Sequence, residues 1–114
     1  MHIEKYSFGS IIVNGKKYTR DLIIFPNKIR ENWWRKEGHK LHLEDLKEVL
    51  EYKPEILVIG TGAYGIMRVP DDVIKKLTEA GIRVIVKKTK EACEAFNTLI
   101  KEGKNVVAAL HLTC

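Results

Sequence analysis

With 114 residues, 45% apolar and 31% charged, the chain matches the size and balance of one folded domain, read as residues 1–114, and excludes a disordered or fibrous protein. Its net charge of +5, from 20 Lys plus Arg against 15 Asp plus Glu, favours anionic partners slightly but falls short of the dense basic stripe of a dedicated nucleic-acid binder. The apolar runs Ile56–Ile59 and Val106–Leu110 are too short to span a bilayer, and Met1–Lys5 lacks a secretory pattern. A cytoplasmic protein with reduced cysteines and no membrane partner is expected.

In chain order, the first third reads as antiparallel β. Residues 3–8 alternate around Tyr6 and Phe8, and Ile11-Ile12-Val13 runs into Asn14-Gly15, a hairpin signal because both turn positions tolerate positive φ. A further strand, Asp21–Phe25, stops at Pro26. The period then changes. Leu43, Leu46, Val49 and Leu50 mark a helix that ends before Pro54, and Ile56–Ile59 is a short buried strand. Pro70-Asp71-Asp72 opens a second helix, with Val73, Ile74 and Leu77 inward and Gly81 at its end. Ile82, Val84 and Val86 form the next strand. Thr89 is placed as the N-cap of a third helix carrying Ala92, Phe96, Leu99 and Ile100 on one face, with Cys93 as a small core residue beside Phe96. Val106–Leu110 is the last strand. This alternation predicts a layered α/β fold, a central sheet covered by helices and extended by an N-terminal β-hairpin.

Ligands of open α/β sheets collect at the carboxyl ends of the strands. There the sequence places Gly60, Thr61, Gly62 and Gly65, then Lys87, Lys88 and Thr89, and then His111–Cys114. If the strands run parallel these segments share one rim, and glycine amides beside two ammonium groups are a candidate pocket for a small anionic ligand. The direction of the last strand decides whether His111–Cys114 joins it. The Gly60–Gly65 segment spells a dinucleotide fingerprint, but Ile66–Pro70 intervenes before the helix and Lys87 stands where an acidic residue would hold a ribose. No cofactor is expected. His39 and His42 lack a third partner, and neither cysteine sits at a metal spacing, so no metal site is expected either.

The segment Lys28–Lys40 sets five basic residues around Trp33-Trp34. Trp33, Trp34, Arg35 and His39 are the candidate interface, because Trp and Arg dominate protein-binding hot spots. The bland alternative has the tryptophans capping the core.

Ser7–Ser10, Tyr18–Asp21, Trp34–His39, Pro54-Glu55, Gly60–Gly62, Thr89–Ala92, Phe96-Asn97 and Ala108–Cys114 together resemble a widespread small domain of unknown function. That family includes an adipogenesis-associated protein and a mitochondrial assembly factor of respiratory complex I. The resemblance implies a three-layer α/β fold with a mixed central sheet. It supplies no catalytic residues, and its mitochondrial members act by binding other proteins. The catalytic residues are therefore unknown and the reading leans away from an enzyme. A protein-interaction or assembly module ranks first, a binder of a small anionic ligand (or an enzyme acting on one) second, and a weak nucleic-acid binder third. Homo-oligomerisation is left open.

Overall fold

The computed structural model describes residues 1–114. Strands β1 (Ile3–Ser7), β2 (Ser10–Val13) and β3 (Lys16–Tyr18) form an antiparallel sheet in sequence order. The β2–β3 turn is the expected hairpin: Asn14 and Gly15 have φ of 51° and 80°, and Val13 pairs with Lys16. A five-stranded sheet is made by β4 (Leu22–Ile24), β5 (Ile29–Arg30), β6 (Ile56–Thr61), β7 (Arg83–Lys87) and β8 (Val106–His111). Its order is β5-β4-β8-β6-β7.

The three strands β6, β7 and β8 are parallel, and β4 joins β8 antiparallel, so the sheet is mixed. The last strand therefore delivers His111 to the same rim as Thr61 and Lys87.

The helices cover both faces. A 3-10 turn, Leu43–Leu46, leads into α1 (Lys47–Tyr52), which stops at Lys53 in the left-handed conformation. Helix α2 (Asp71–Glu79) links β6 to β7, and α3 (Thr89–Lys101) links β7 back to β8. The first crossover moves outward from β6 and the second returns across it. Crossovers of one hand must then lie on opposite faces, and α2 and α3 do.

Strand alternation sorts the core accordingly. Ile56, Val58, Val106, Ala108, Leu110, Leu22 and Ile24 pack with Ala92, Cys93 and Phe96 of α3 and with Ile3, Ile11 and Val13 of the small sheet. Leu57, Ile59, Val107, Ala109 and Ile23 pack on the other side with Leu46, Val49, Val73 and Leu77, together with Trp33 and Met67. Burial raises the Cys93 thiol, helped by the charge of Glu94, to a pKa of about 12, so it behaves as a core hydrophobe.

Thr89 departs from its expected role. It is the first residue inside α3, Lys88 occupies the cap position, and its hydroxyl points into the protein. There Thr89 Oγ1 donates to the His111 carbonyl at 2.6 Å and accepts the Gly62 N–H at 2.8 Å. Two buried backbone groups of neighbouring strand ends need partners, and one hydroxyl supplies both.

Candidate functional site

In the β4–β8 register Leu22 faces Leu110, so the residue before β4, Asp21, lands beside the residue that ends β8, His111. Asp21 Oδ2 accepts from Arg35 Nη1 at 2.6 Å and from His111 Nδ1 at 2.7 Å, while Oδ1 accepts the Leu112 N–H at 2.8 Å. Burial pushes the Asp21 carboxyl up, but hydrogen bonds from His111, Leu112 and Arg35 outweigh it and hold the group below the ordinary carboxylate range. An ionised Asp21 fixes the His111 proton on Nδ1.

Arg35 is tethered further by Nη2 donating to the Gly38 carbonyl at 3.0 Å, and its guanidinium lies 4.9 Å from the Trp33 ring centre. Its side chain is only 5% exposed. Arg35 Nε and His111 Nε2 are buried without a partner. Because no hydroxyl or thiol reaches His111 Nε2, the Asp–His pair lacks the nucleophile-to-base hydrogen bond of covalent catalysis. Cys114 Sγ instead lies 3.9 Å from His39 Nε2. No three His, Cys, Asp or Glu side chains converge so as to hold a metal ion.

The two tryptophans part company. Trp33 is 7% exposed, packs under α1 and donates its indole N–H to the Asp45 carbonyl at 2.9 Å. Trp34 is 77% exposed. It stands on a cavity of about 410 Å³ that is also lined by Thr19, Arg20, Asp21, Asn32, Trp33, Arg35 and Gly38. His39 does not line this cavity; its ring lies 5.9 Å from that of His111, towards the C-terminal residues. The segment thus divides into an anchor (Trp33, Arg35) and a free aromatic (Trp34).

At the glycine rim, the amides of Gly62, Ala63, Gly65 and Ile66 bond to Thr89 Oγ1 and to the carbonyls of Thr113, Gly62 and Cys114 respectively. Thr61 Oγ1 donates to the Lys87 carbonyl at 3.1 Å. A Cβ on Gly60 would come within 3 Å of Leu110 and Thr89, and one on Gly62 within 3 Å of Cys114, so these glycines serve close packing. Lys87 and Lys88 are exposed. The amides of Gly62, Ala63, Gly65 and Ile66 are thus engaged within the chain, beside the exposed ammonium groups of Lys87 and Lys88.

Asp21 is the member of the buried cluster that sequence reasoning did not single out. A carboxylate directly before the fully buried strand Leu22–Ile24 is the available signal, but its partner His111 is 90 residues away.

This fold, a mixed five-stranded sheet between helices with a three-stranded sheet attached, is shared by solved structures. One is a conserved hypothetical protein from Pyrococcus horikoshii (TM-score 0.84, 31% identical, all of both chains covered). Another is an outer membrane protein from Bartonella henselae (TM-score 0.84, 28% identical, 98% of this chain and 94% of that one). The chain belongs to the family described as protein of unknown function (DUF498/DUF598), whose model matches residues 3–111. Among curated relatives it is 34% identical, over 96% of its length, to the Xenopus tropicalis NADH dehydrogenase (ubiquinone) 1 alpha subcomplex assembly factor 3, and spans 60% of that protein.

Proposed function

We propose that the chain is a non-enzymatic interaction module that docks another protein through the face centred on Trp34. The carrying observation is the Trp34 indole, 77% exposed beside a cavity of about 410 Å³ whose lining includes the ion pair of the buried Arg35 side chain with the part-buried Asp21. Leaving a large aromatic in water forgoes burial worth about 2–3 kcal/mol, which binding a partner recovers. Its neighbours on both sides are tethered, so little further ordering of the backbone opposes association. Arg20, exposed on the same cavity and without an ion-pair partner, favours a partner that offers an acidic group beside an apolar one.

The complex I assembly factor supports this reading by its name, although this chain spans only 60% of it. The proposed site of action is the cytoplasm. A photo-crosslinking amino acid placed at position 34 tests the reading. It is expected to trap a specific partner whose capture is lost in Trp34→Ala and weakened in Arg20→Ala, with unfolding midpoints unchanged. Trapping no specific protein, or capture indifferent to Trp34, overturns it.

A further inference from the structure

The chain exposes five large apolar side chains, and three of them, Phe8 (57%), Tyr64 (67%) and Ile66 (47%), come from two loops that meet at one end of the molecule. The loops are far apart in sequence but tied to the same tail. The Gly9 N–H donates to the Leu112 carbonyl at 2.8 Å, the Ala63 N–H to the Thr113 carbonyl at 2.7 Å and the Ile66 N–H to the Cys114 carbonyl at 3.1 Å. These bonds hold the Phe8 and Tyr64 rings with centres 6.0 Å apart. Neither the cavity at Trp34 nor one of about 280 Å³ beside the start of α2 is lined by these residues.

One lysine packs against the loop that carries Tyr64, and two more lie close to it in sequence. The Lys88 stem lies against Gly65, where an added Cβ would come within 3.3 Å of it. Lys87, Lys88 and Lys90 are all exposed, and none has an ion-pair partner. Glu91 is the acidic residue in the first turn of α3.

We propose that this end of the molecule is a peripheral membrane-binding surface that takes an anionic phospholipid bilayer. Phe8, Tyr64 and Ile66 enter the headgroup boundary, and Lys87, Lys88 and Lys90 meet lipid phosphates. The chemistry is that of interfacial anchors: aromatic rings settle at headgroup depth, and lysines bury their stems while their ammonium groups stay with the phosphates. A protein partner needs shaped polar complementarity, whereas the Ala63 and Ile66 N–H groups are taken by the C-terminal tail and those of Gly62 and Gly65 by Thr89 Oγ1 and the Gly62 carbonyl. The net charge of +5 adds attraction to an anionic leaflet. No helix is long and apolar enough to cross a membrane, so contact of this kind is confined to the surface.

The test is co-sedimentation of the full chain with vesicles of phosphatidylcholine alone or mixed equally with phosphatidylglycerol. Binding is expected to the anionic vesicles only and to weaken as salt is raised. The double variant Lys87→Gln/Lys88→Gln is expected to lose about tenfold to thirtyfold in affinity, from roughly one interaction of surface strength per lysine. Phe8→Ser/Tyr64→Ser is expected to remove the binding that survives high salt. Trp34→Ala is expected to bind vesicles as the parent does, which separates this surface from the docking face. No sedimentation, equal binding to neutral vesicles, or binding indifferent to either double variant overturns the proposal. So does a protein cross-linked at position 64 in the absence of vesicle binding. All five substituted residues are exposed, and unchanged unfolding midpoints verify that each variant is folded.

Discussion

Asp21 organises three segments that sequence separation keeps apart: the start of β4, the Trp33–Gly38 stretch and the end of β8. Its carboxylate is the shared acceptor for Arg35, His111 and the Leu112 N–H. Replacing it by Asn removes the charge while keeping the shape, and leaves the 5%-exposed Arg35 side chain without its counter-charge. Breaking a buried pair in this way costs about 3–5 kcal/mol, read as a lower urea midpoint at neutral pH. The carboxyl binds its proton more weakly in the folded chain than in the unfolded one. Its contribution is thus complete above the ordinary carboxylate range and is lost as pH falls through and below that range. Midpoints measured along an acid series are expected to fall less steeply for Asp21→Asn than for the parent; equal slopes refute the assignment. Arg35 illustrates the limit of composition. A basic residue next to Trp33-Trp34 in a lysine- and arginine-rich segment reads as surface, yet its guanidinium is turned inward to Asp21.

At the scale of elements, one hydroxyl bridges β6, α3 and β8 at their junction, beside the Thr89 N–H that donates to the Gly62 carbonyl at 3.1 Å. Thr89→Val keeps the shape of the side chain but strands the Gly62 N–H and the His111 carbonyl, both buried. The expected loss is about 1–3 kcal/mol for each group left unsatisfied. Hydrogen exchange is expected to quicken at Gly62 and the first turn of α3 before the rest of the sheet. Uniform quickening would show that the hydroxyl does not hold this junction. Most elements were legible in the sequence: the hairpin from Asn14-Gly15, the helices over 71–79 and 89–101 from their period, and β6 and β8 from short continuous apolar runs. The two-residue strand β5 was not, because Ile29-Arg30 is too short for any period to show. The first helix was only partly so. It is a 3-10 turn followed by the six residues of α1, and Asp45, which bonds back to the His42 N–H at 2.8 Å, shapes its start.

Across the whole molecule, one sheet separates two cores, and every buried strand contributes alternately to each. Phe96 is fully buried in one core, whereas Trp34 touches neither. Phe96→Ala is expected to cost about 3–5 kcal/mol. Trp34→Ala is expected to stay within about 0.5 kcal/mol, the range of ordinary surface changes. Calorimetry on both variants checks the contrast, and a comparable loss for Trp34 would mean that its ring supports the fold instead of facing a partner.

Local chemistry alone was enough to dictate the layered α/β form, its turns and the apolar strands, because period, glycine placement and helix starts act between near neighbours. What folding decided is which of two adjacent tryptophans lies in water, where the glycine-loop amides find their acceptors, and that Asp21 meets His111. Each depends on register between strands distant in the chain, and a one-residue slip in β4 against β8 would turn Asp21 away from His111 altogether.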